Sequence, residues 1–289
     1  MIIPTKQLKS GFAMPVYGLG TWRMGGDMTR NPANDDAADV KAIKMAIEHG
    51  VTHIDTAERY AEGHAEELVG EAIRGQERQN LFLVSKVGST HLAYDDLLQS
   101  CQASLKRLGT DYLELYLIHS ANEDIPLTET MRAMDKLVED GLIRHIGVSN
   151  FTAERMIRAQ EVCRHKIVAT QVHYNLMVRE VERKHLLEYC QSNDIMLIAW
   201  RPVQKGMLSE TKDMFLLDIC RRYAKTPAQV AINWLISQPN VVTLAKTGSA
   251  QHLNENLGCL GWQLSTDDIE RLRWDYVPQL DESDAVTLK

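Results

Sequence analysis

The chain has 289 residues, of which 44% are hydrophobic and 25% charged, a balance that suits a globular protein with one large α/β core or two modest ones. A formal net charge of −7 leaves no basic stripe to neutralise nucleic-acid phosphates. The opening MIIPTKQLKS is too short an apolar run for a secretory signal, and no run reaches the ~18 apolar residues of a membrane span, so the expectation is a cytoplasmic protein without nucleic-acid or membrane partners.

Taken in chain order, apolar β-rich runs alternate with segments of helical period. VYGLG (16–20) comes first, followed by a long polar loop, RMGGDMTRNPANDD (23–36), which is expected to overhang whatever lies at that strand's end. HIDTA (53–57) and LFLVSKV (81–87) follow, then the helical YDDLLQSCQASLKRLG, closed by Gly109 in the manner of a left-handed C-cap. LELYLIH (113–119) precedes a helix predicted from Pro126 to Gly141, and IRHIGVSN (143–150), ATQVHYN (169–175) and MLIAWRP (196–202) continue the series. TPAQVAINWLISQP carries Thr226 as cap, Pro227 in the first turn and Pro239 just past the end, and VVTLAKTG (241–248) is the eighth strand.

Eight strands each followed by a helix predict an α/β fold, a (β/α)8 TIM barrel, forming a single domain over 1–289 with a C-terminal helix and a short tail. Continuous apolar strands suit a parallel sheet buried on both faces. A doubly wound open sheet is the competing architecture, but GLGTWRMGG after the first strand is not GxGxxG and leads into a loop rather than a helix. The five cysteines, at 101, 163, 190, 220 and 259, show no CxxC or metal-ligand spacing. They read as reduced packing residues, four in helical patterns and Cys259 near the end of another, and no metal is expected.

A barrel gathers its chemistry at the C-terminal ends of its strands. Asp55 lies there on the second strand with Tyr60 just beyond, Lys86 on the third, and His119 closes the fourth. Each has a bland reading: a turn cap, a packing phenol, a snorkelling lysine, a structural histidine. Together they form a site that protonates a developing oxyanion, as in carbonyl reduction. A buried ammonium needs a carboxylate, which Asp55 supplies. The ammonium is expected to lower a phenol pKa that is otherwise near 10, and a neutral histidine can orient a carbonyl oxygen. At the eighth strand's end, Lys246-Thr247-Gly248-Ser249 opens the helix SAQHLNENL, an arrangement suited to a phosphate as well as to a plain solvated turn.

GLGTW, IDTAxxYxxGxxEExVGxAI, SK, YLIH, IGVSN and AKT…NEN occur in order and on these strands, and over nearly its full length the chain resembles an aldo-keto reductase. The resemblance implies a (β/α)8 barrel that reduces aldehydes or ketones with NADPH (NADH also possible) and acts as a monomer. It implies Asp55, Tyr60, Lys86 and His119 as the catalytic set. It also implies Ser149, Asn150 and Gln171 at the nicotinamide amide, Trp200 stacked on the ring, and Trp22 in the substrate pocket. Lys246, Thr247, His252 and Asn256 match the positions around the adenosine 2′-phosphate and adenine, and Lys205 lies in the segment resembling the pyrophosphate cover.

The chain departs from that pattern in places. His252 stands where arginine is usual, IHSAN replaces the common IHWP, and Arg201 follows Trp200 where serine is common. The short tail after LSTDDIERLRW predicts an open pocket. Two other functions compete: a lyase using Lys86 as a Schiff base, which leaves Trp200 and Lys246 unexplained, and a non-catalytic nicotinamide-binding subunit.

Overall fold

In a strand buried on both faces, successive side chains point alternately to the barrel axis and to the helices outside. A computed structural model describes residues 2–289 and closes eight such strands into a ring. A short antiparallel hairpin, β1 (Thr5–Gln7) and β2 (Ala13–Pro15), comes first. The ring is β3 (Tyr17–Gly20), β4 (His53–Asp55), β5 (Phe82–Val87) and β6 (Leu113–Ile118), then β7 (Ile143–Ser149), β8 (Ile167–His173), β9 (Met196–Trp200) and β10 (Val241–Ala245). Every neighbouring pair is parallel and β10 returns to pair with β3, which makes the fold a (β/α)8 barrel.

The helices outside are α1 (Asp36–Glu48), α2 (His64–Ile73), α3 (Tyr94–Leu108), α4 (Leu127–Glu139) and α5 (Ala153–Glu161). Two short ones, α6 (Glu180–Arg183) and α7 (Leu186–Ser192), precede α8 (Met214–Tyr223), α9 (Pro227–Ser237), α10 (Ala250–Leu257) and α11 (Thr266–Trp274). Their ends follow local chemistry. Gly109 closes α3 at φ 66°, and Thr226 and Gln229 form a reciprocal capping box on α9. Pro126 sits at the N-cap of α4 rather than inside it, and the helix stops at Glu139. Cys163 lies past the end of α5 rather than in a helix, with its thiol donating to Asp135. All five cysteines are free and buried.

Inside the ring the inward positions stack in layers. Val84, Leu117, Ala169, Ile198 and Leu244 belong to one inner cluster. Two residues further along the same strands come Lys86, His119, Gln171, Trp200 and Lys246, so the sequence places each of these polar groups in the next inward layer, at the C-terminal rim. Close packing below that layer leaves some positions no room for a side chain: a Cβ on Gly147 would lie 2.4 Å from Leu117 Cδ2, and one on Gly18 2.3 Å from His53 Nδ1.

The N-terminal hairpin is too short for periodicity to reveal, and the sequence reading missed it. It stoppers the far end of the barrel. Leu8, Phe12 and Met14 join the inner cluster, and Phe12 meets Phe82 and His145 edge-on at 6.1 and 4.9 Å. Lys6 anchors it by donating to the carbonyls of Ile236, Gln238 and Val241 at 2.8, 2.6 and 2.7 Å. Phe12→Ala is therefore expected to destabilise the protein by about 3 kcal/mol, the usual cost of emptying a buried phenylalanine site. Urea denaturation of the two proteins measures it, and an unchanged midpoint would show that the stopper contributes nothing.

Candidate active site

Lys86 has no exposed surface, so its ammonium must find acceptors inside the barrel. It donates to Asp55 Oδ1 at 2.6 Å and to the Thr56 carbonyl at 2.8 Å, and its Nζ lies 3.4 Å from the Tyr60 hydroxyl. The other carboxylate oxygen of Asp55 accepts from Gln171 Nε2 at 2.7 Å. Tyr60 opens a short 3-10 turn just beyond β4. Its ring is met edge-on by Trp22 at 4.9 Å and by His119 at 5.6 Å. The four expected catalytic residues thus converge at one end of the barrel.

Their electrostatics divide the roles. Burial works against the Lys86 ammonium, but Asp55 and Tyr60 outweigh it and hold the pKa above its ordinary value, so the lysine stays charged. An ammonium whose charged form is favoured in this way is a poor nucleophile, which argues against a Schiff base. The expected lowering of the phenol is not found: burial raises the pKa of Tyr60, and the nearby Lys86 charge only offsets part of that rise. The correction has a simple cause, since a phenolate loses more solvation in this wall than one ammonium returns. His119 moves the other way. Burial, with Lys86 and Arg59 adding to it, pushes its pKa well below the usual range and keeps the imidazole neutral.

Asp55, Tyr60 and His119 front a cavity of about 590 Å³, with Lys86 buried behind them. Ser149, Asn150, Gln171, Trp200, Trp22, Lys205 and Lys246 also line it. Three buried polar atoms in this wall have no partner in the protein: Ser149 Oγ, Asn150 Oδ1 and His119 Nδ1. Orphaned groups of this kind are rare in protein interiors and match a ligand that carries both amide donors and acceptors. Asn150 adopts φ 60°, which turns its side chain back so that Nδ2 donates to the His119 carbonyl at 3.1 Å. The Trp200 ring lies flat on His173, 4.1 Å between centroids and 15° between planes.

The remaining expected residues are spread more widely. Lys246 donates to the Arg23 carbonyl at 2.9 Å and so ties the long first loop to the end of β10. Thr247 is buried and engaged with Ser249, His252 is exposed on the first turn of α10, and Asn256 is buried further along that helix. None of these three belongs to the wall of the main cavity. Lys205 pairs with Asp284 at 3.3 Å.

The tail does not leave the pocket open on its side. Asp284 also pairs with Arg201 at 3.0 Å, Ala285 and Val286 line the cavity, and Lys289 exchanges main-chain bonds with Asn150 and Thr152. The overhanging first loop is found as expected, with Arg23, Asp27 and Met28 in the wall. His173 escaped the sequence reading, though its signal was present: it stands two residues after Gln171 and so faces the same way. Its ring bridges Ser283 Oγ and Gln204 Oε1 at 2.9 and 2.7 Å, and burial lowers its pKa to about 4, so a neutral ring props Trp200. Arg59 was missed too, because a cation between a strand and a turn carries no sequence mark.

The aldo/keto reductase family model matches residues 17–274. Methylglyoxal reductase YeaE of Escherichia coli is 37% identical over 270 residues, 92% of this chain and 92% of that protein. Among solved structures, a thermostable aldo-keto reductase crystallised with the inhibitor epalrestat is 45% identical, with a TM-score of 0.90 over 93% of this chain and 98% of that one. An aldo/keto reductase from Klebsiella pneumoniae, in complex with NADP and acetate, is 36% identical, with a TM-score of 0.83 over 97% of this chain and 98% of that one. A closed barrel with this rim and these likenesses over nearly the whole length place the chain in the aldo/keto reductase family.

Proposed function

We propose that the protein reduces aldehydes or ketones to alcohols with NADPH, with Tyr60 as proton donor. The observation that carries this reading is the buried Lys86 ammonium, held between the Asp55 carboxylate and the Tyr60 hydroxyl beside a neutral His119. The nicotinamide cofactor, when bound, supplies the hydride. Everything else falls to the chain. Ser149, Asn150 and Gln171 would hold the carboxamide, satisfying the orphaned Oγ and Oδ1, and Trp200, propped by His173, offers a flat face to the ring. Lys246 would supply charge for the 2′-phosphate, with Thr247 beside it, His252 and Asn256 along the adjoining helix and Lys205 beyond the neighbouring strand β9.

At the carbonyl oxygen, His119 orients and Tyr60 donates. Because the phenol pKa is raised, Tyr60 is fully protonated at neutral pH and ready to donate. As its proton leaves, the negative charge forms 3.4 Å from Lys86, where Asp55 keeps the ammonium in place. The carboxylate, the amine and the phenol act as one unit. The Escherichia coli relative carries the name methylglyoxal reductase, which supports small reactive carbonyls as substrates.

Tyr60→Phe fills the same space without the acid and should lose about 10²–10⁴-fold in kcat while keeping NADPH affinity. Undiminished turnover of a good aldehyde by this variant would remove the phenol from the mechanism.

The pH profile follows from the same directions of shift. Reduction needs Tyr60 protonated, and its raised pKa lies above the working range. His119, whose pKa is lowered, is already neutral there. The value of kcat at saturating NADPH should therefore stay level from pH 6 to 9, whereas alcohol oxidation, which needs the phenolate, should climb across it. A break in reduction near pH 6.5 would mean that His119 titrates and is not the neutral orienting group.

Lys246→Ala should weaken NADPH by about tenfold or more and leave NADH nearly unaffected, since one charge-assisted hydrogen bond to phosphate is worth roughly 1.5–3 kcal/mol. Cofactor titration followed by tryptophan fluorescence measures both constants, and equal losses would take the 2′-phosphate away from Lys246.

A further inference from the structure

The cations of the cavity wall are not equivalent. Arg201 is held by Asp284 at 3.0 Å and Arg23 by Asp27 at 3.3 Å. Lys205 and Lys246 stand near β9 and β10, on the side assigned above to the cofactor phosphates. Arg59 differs from all of these. It immediately precedes Tyr60 on the β4 side of the cavity, is half-buried and lines the wall. Among the described residues no carboxylate lies within ion-pair distance of it, and its guanidinium makes no hydrogen bond; the neighbouring Glu58 is spent on the Gly88 amide at 2.6 Å and on His91 at 2.9 Å.

Its stem lies against Gly88, where a Cβ would come within 3.1 Å of both Cγ and Cδ of Arg59, so a side chain there would push the arginine aside. From that position its charge reaches both reacting groups: it helps hold His119 neutral and pulls against the raised pKa of Tyr60. A guanidinium at the cavity wall that finds no acceptor in its own protein has its donors free for a ligand that brings one.

We propose that Arg59 is a specificity-determining residue that grips an anionic group, a carboxylate above all, on the carbonyl substrate. This rests on the reductase reading and narrows it to aldehydes and ketones with an acid group a few bonds from the carbonyl. The planar fork of arginine can take both oxygens of a carboxylate while the carbonyl oxygen lies against Tyr60 and His119. Arg201 borders the same cavity, its Cζ 5.0 Å from the Trp200 ring centroid, and adds positive potential, although Asp284 neutralises much of it.

The test uses a matched pair, 4-carboxybenzaldehyde and its methyl ester, which differ chiefly in charge. With NADPH, wild type should favour the acid over the ester by about tenfold in kcat/KM, the scale of one charge-assisted pair, and the ratio should shrink as ionic strength rises. In Arg59→Met the ratio should collapse towards one, and in Arg59→Glu it should invert. Reading the ratio cancels any general effect of the substitution on turnover. Arg59→Lys, which keeps the charge without the fork, should fall between wild type and Arg59→Met. Reduction of both compounds without preference, or a preference that survives in Arg59→Met, overturns the assignment of Arg59 alone. Failure to reduce either compound or any other aldehyde with NADPH would instead overturn the reductase reading, and this inference with it.

Discussion

A lysine ammonium taken wholly out of water costs several kcal/mol unless partners return it, and the rim of this barrel is organised around returning it to Lys86. Asp55, the Thr56 carbonyl and the Tyr60 hydroxyl stand around Nζ, and Gln171 occupies the carboxylate oxygen that Lys86 leaves over. Stability is a weak reason for keeping such a pair, because a hydrophobic replacement of similar volume is often as stable or more so. Its retention makes sense as placement: it fixes a positive charge 3.4 Å from a phenol that burial would otherwise hold firmly to its proton.

That placement depends on the parity of parallel strands. One residue of slip on β5 would turn Lys86 outward into the helix layer and bring Ser85 in. Ser85 is itself committed outside, where it donates to the buried Glu66 of α2, and Glu66 in turn pairs with Arg107 of α3 at 2.7 Å. The two faces of β5 thus specify the same register: an ionic pair towards the axis and an ionic cluster towards the helices. Gly147 acts similarly one layer lower, since any side chain there would strike Leu117.

The strands, their order and the convergence of Asp55, Tyr60, Lys86 and His119 at one end were legible because they rest on short-range rules: apolar runs, glycine stops, and polar residues at one end of each run. The chain fell out of reach where structure depends on contacts distant in sequence. The hairpin that stoppers the barrel has three-residue strands, and its worth lies in Phe12 meeting Phe82 and His145. The tail is short, yet Asp284 reaches Arg201 and Lys205 some eighty positions earlier and draws Val286 over the cavity. The pKa of Tyr60 was misjudged for a related reason. Sequence shows the charged neighbour that lowers it but not the depth of burial that raises it.

The same division separates the fixed from the adjustable parts of the site. Asp55, Lys86 and Gln171 are joined by buried charge-assisted bonds, whose loss would strand a charge in the interior. The wall above them is held differently. Loop 23–36 is held by Lys246 on the Arg23 carbonyl and by the Ala61 and Glu62 amides on the Asp27 and Met28 carbonyls; the tail is held by Lys289 on Asn150 and Thr152, with Asp284 adding exposed ion pairs of a kind worth about 0–1 kcal/mol each. The wall's other side chains make none of the bonds between Asp55, Lys86 and Gln171, so its shape and charge can change while that buried network stays in place. Arg59 lies at the boundary between the two, one peptide bond from Tyr60 but facing the cavity with no protein acceptor. A change at that position alters what the cavity attracts while the Asp55–Lys86 pair stays as it is.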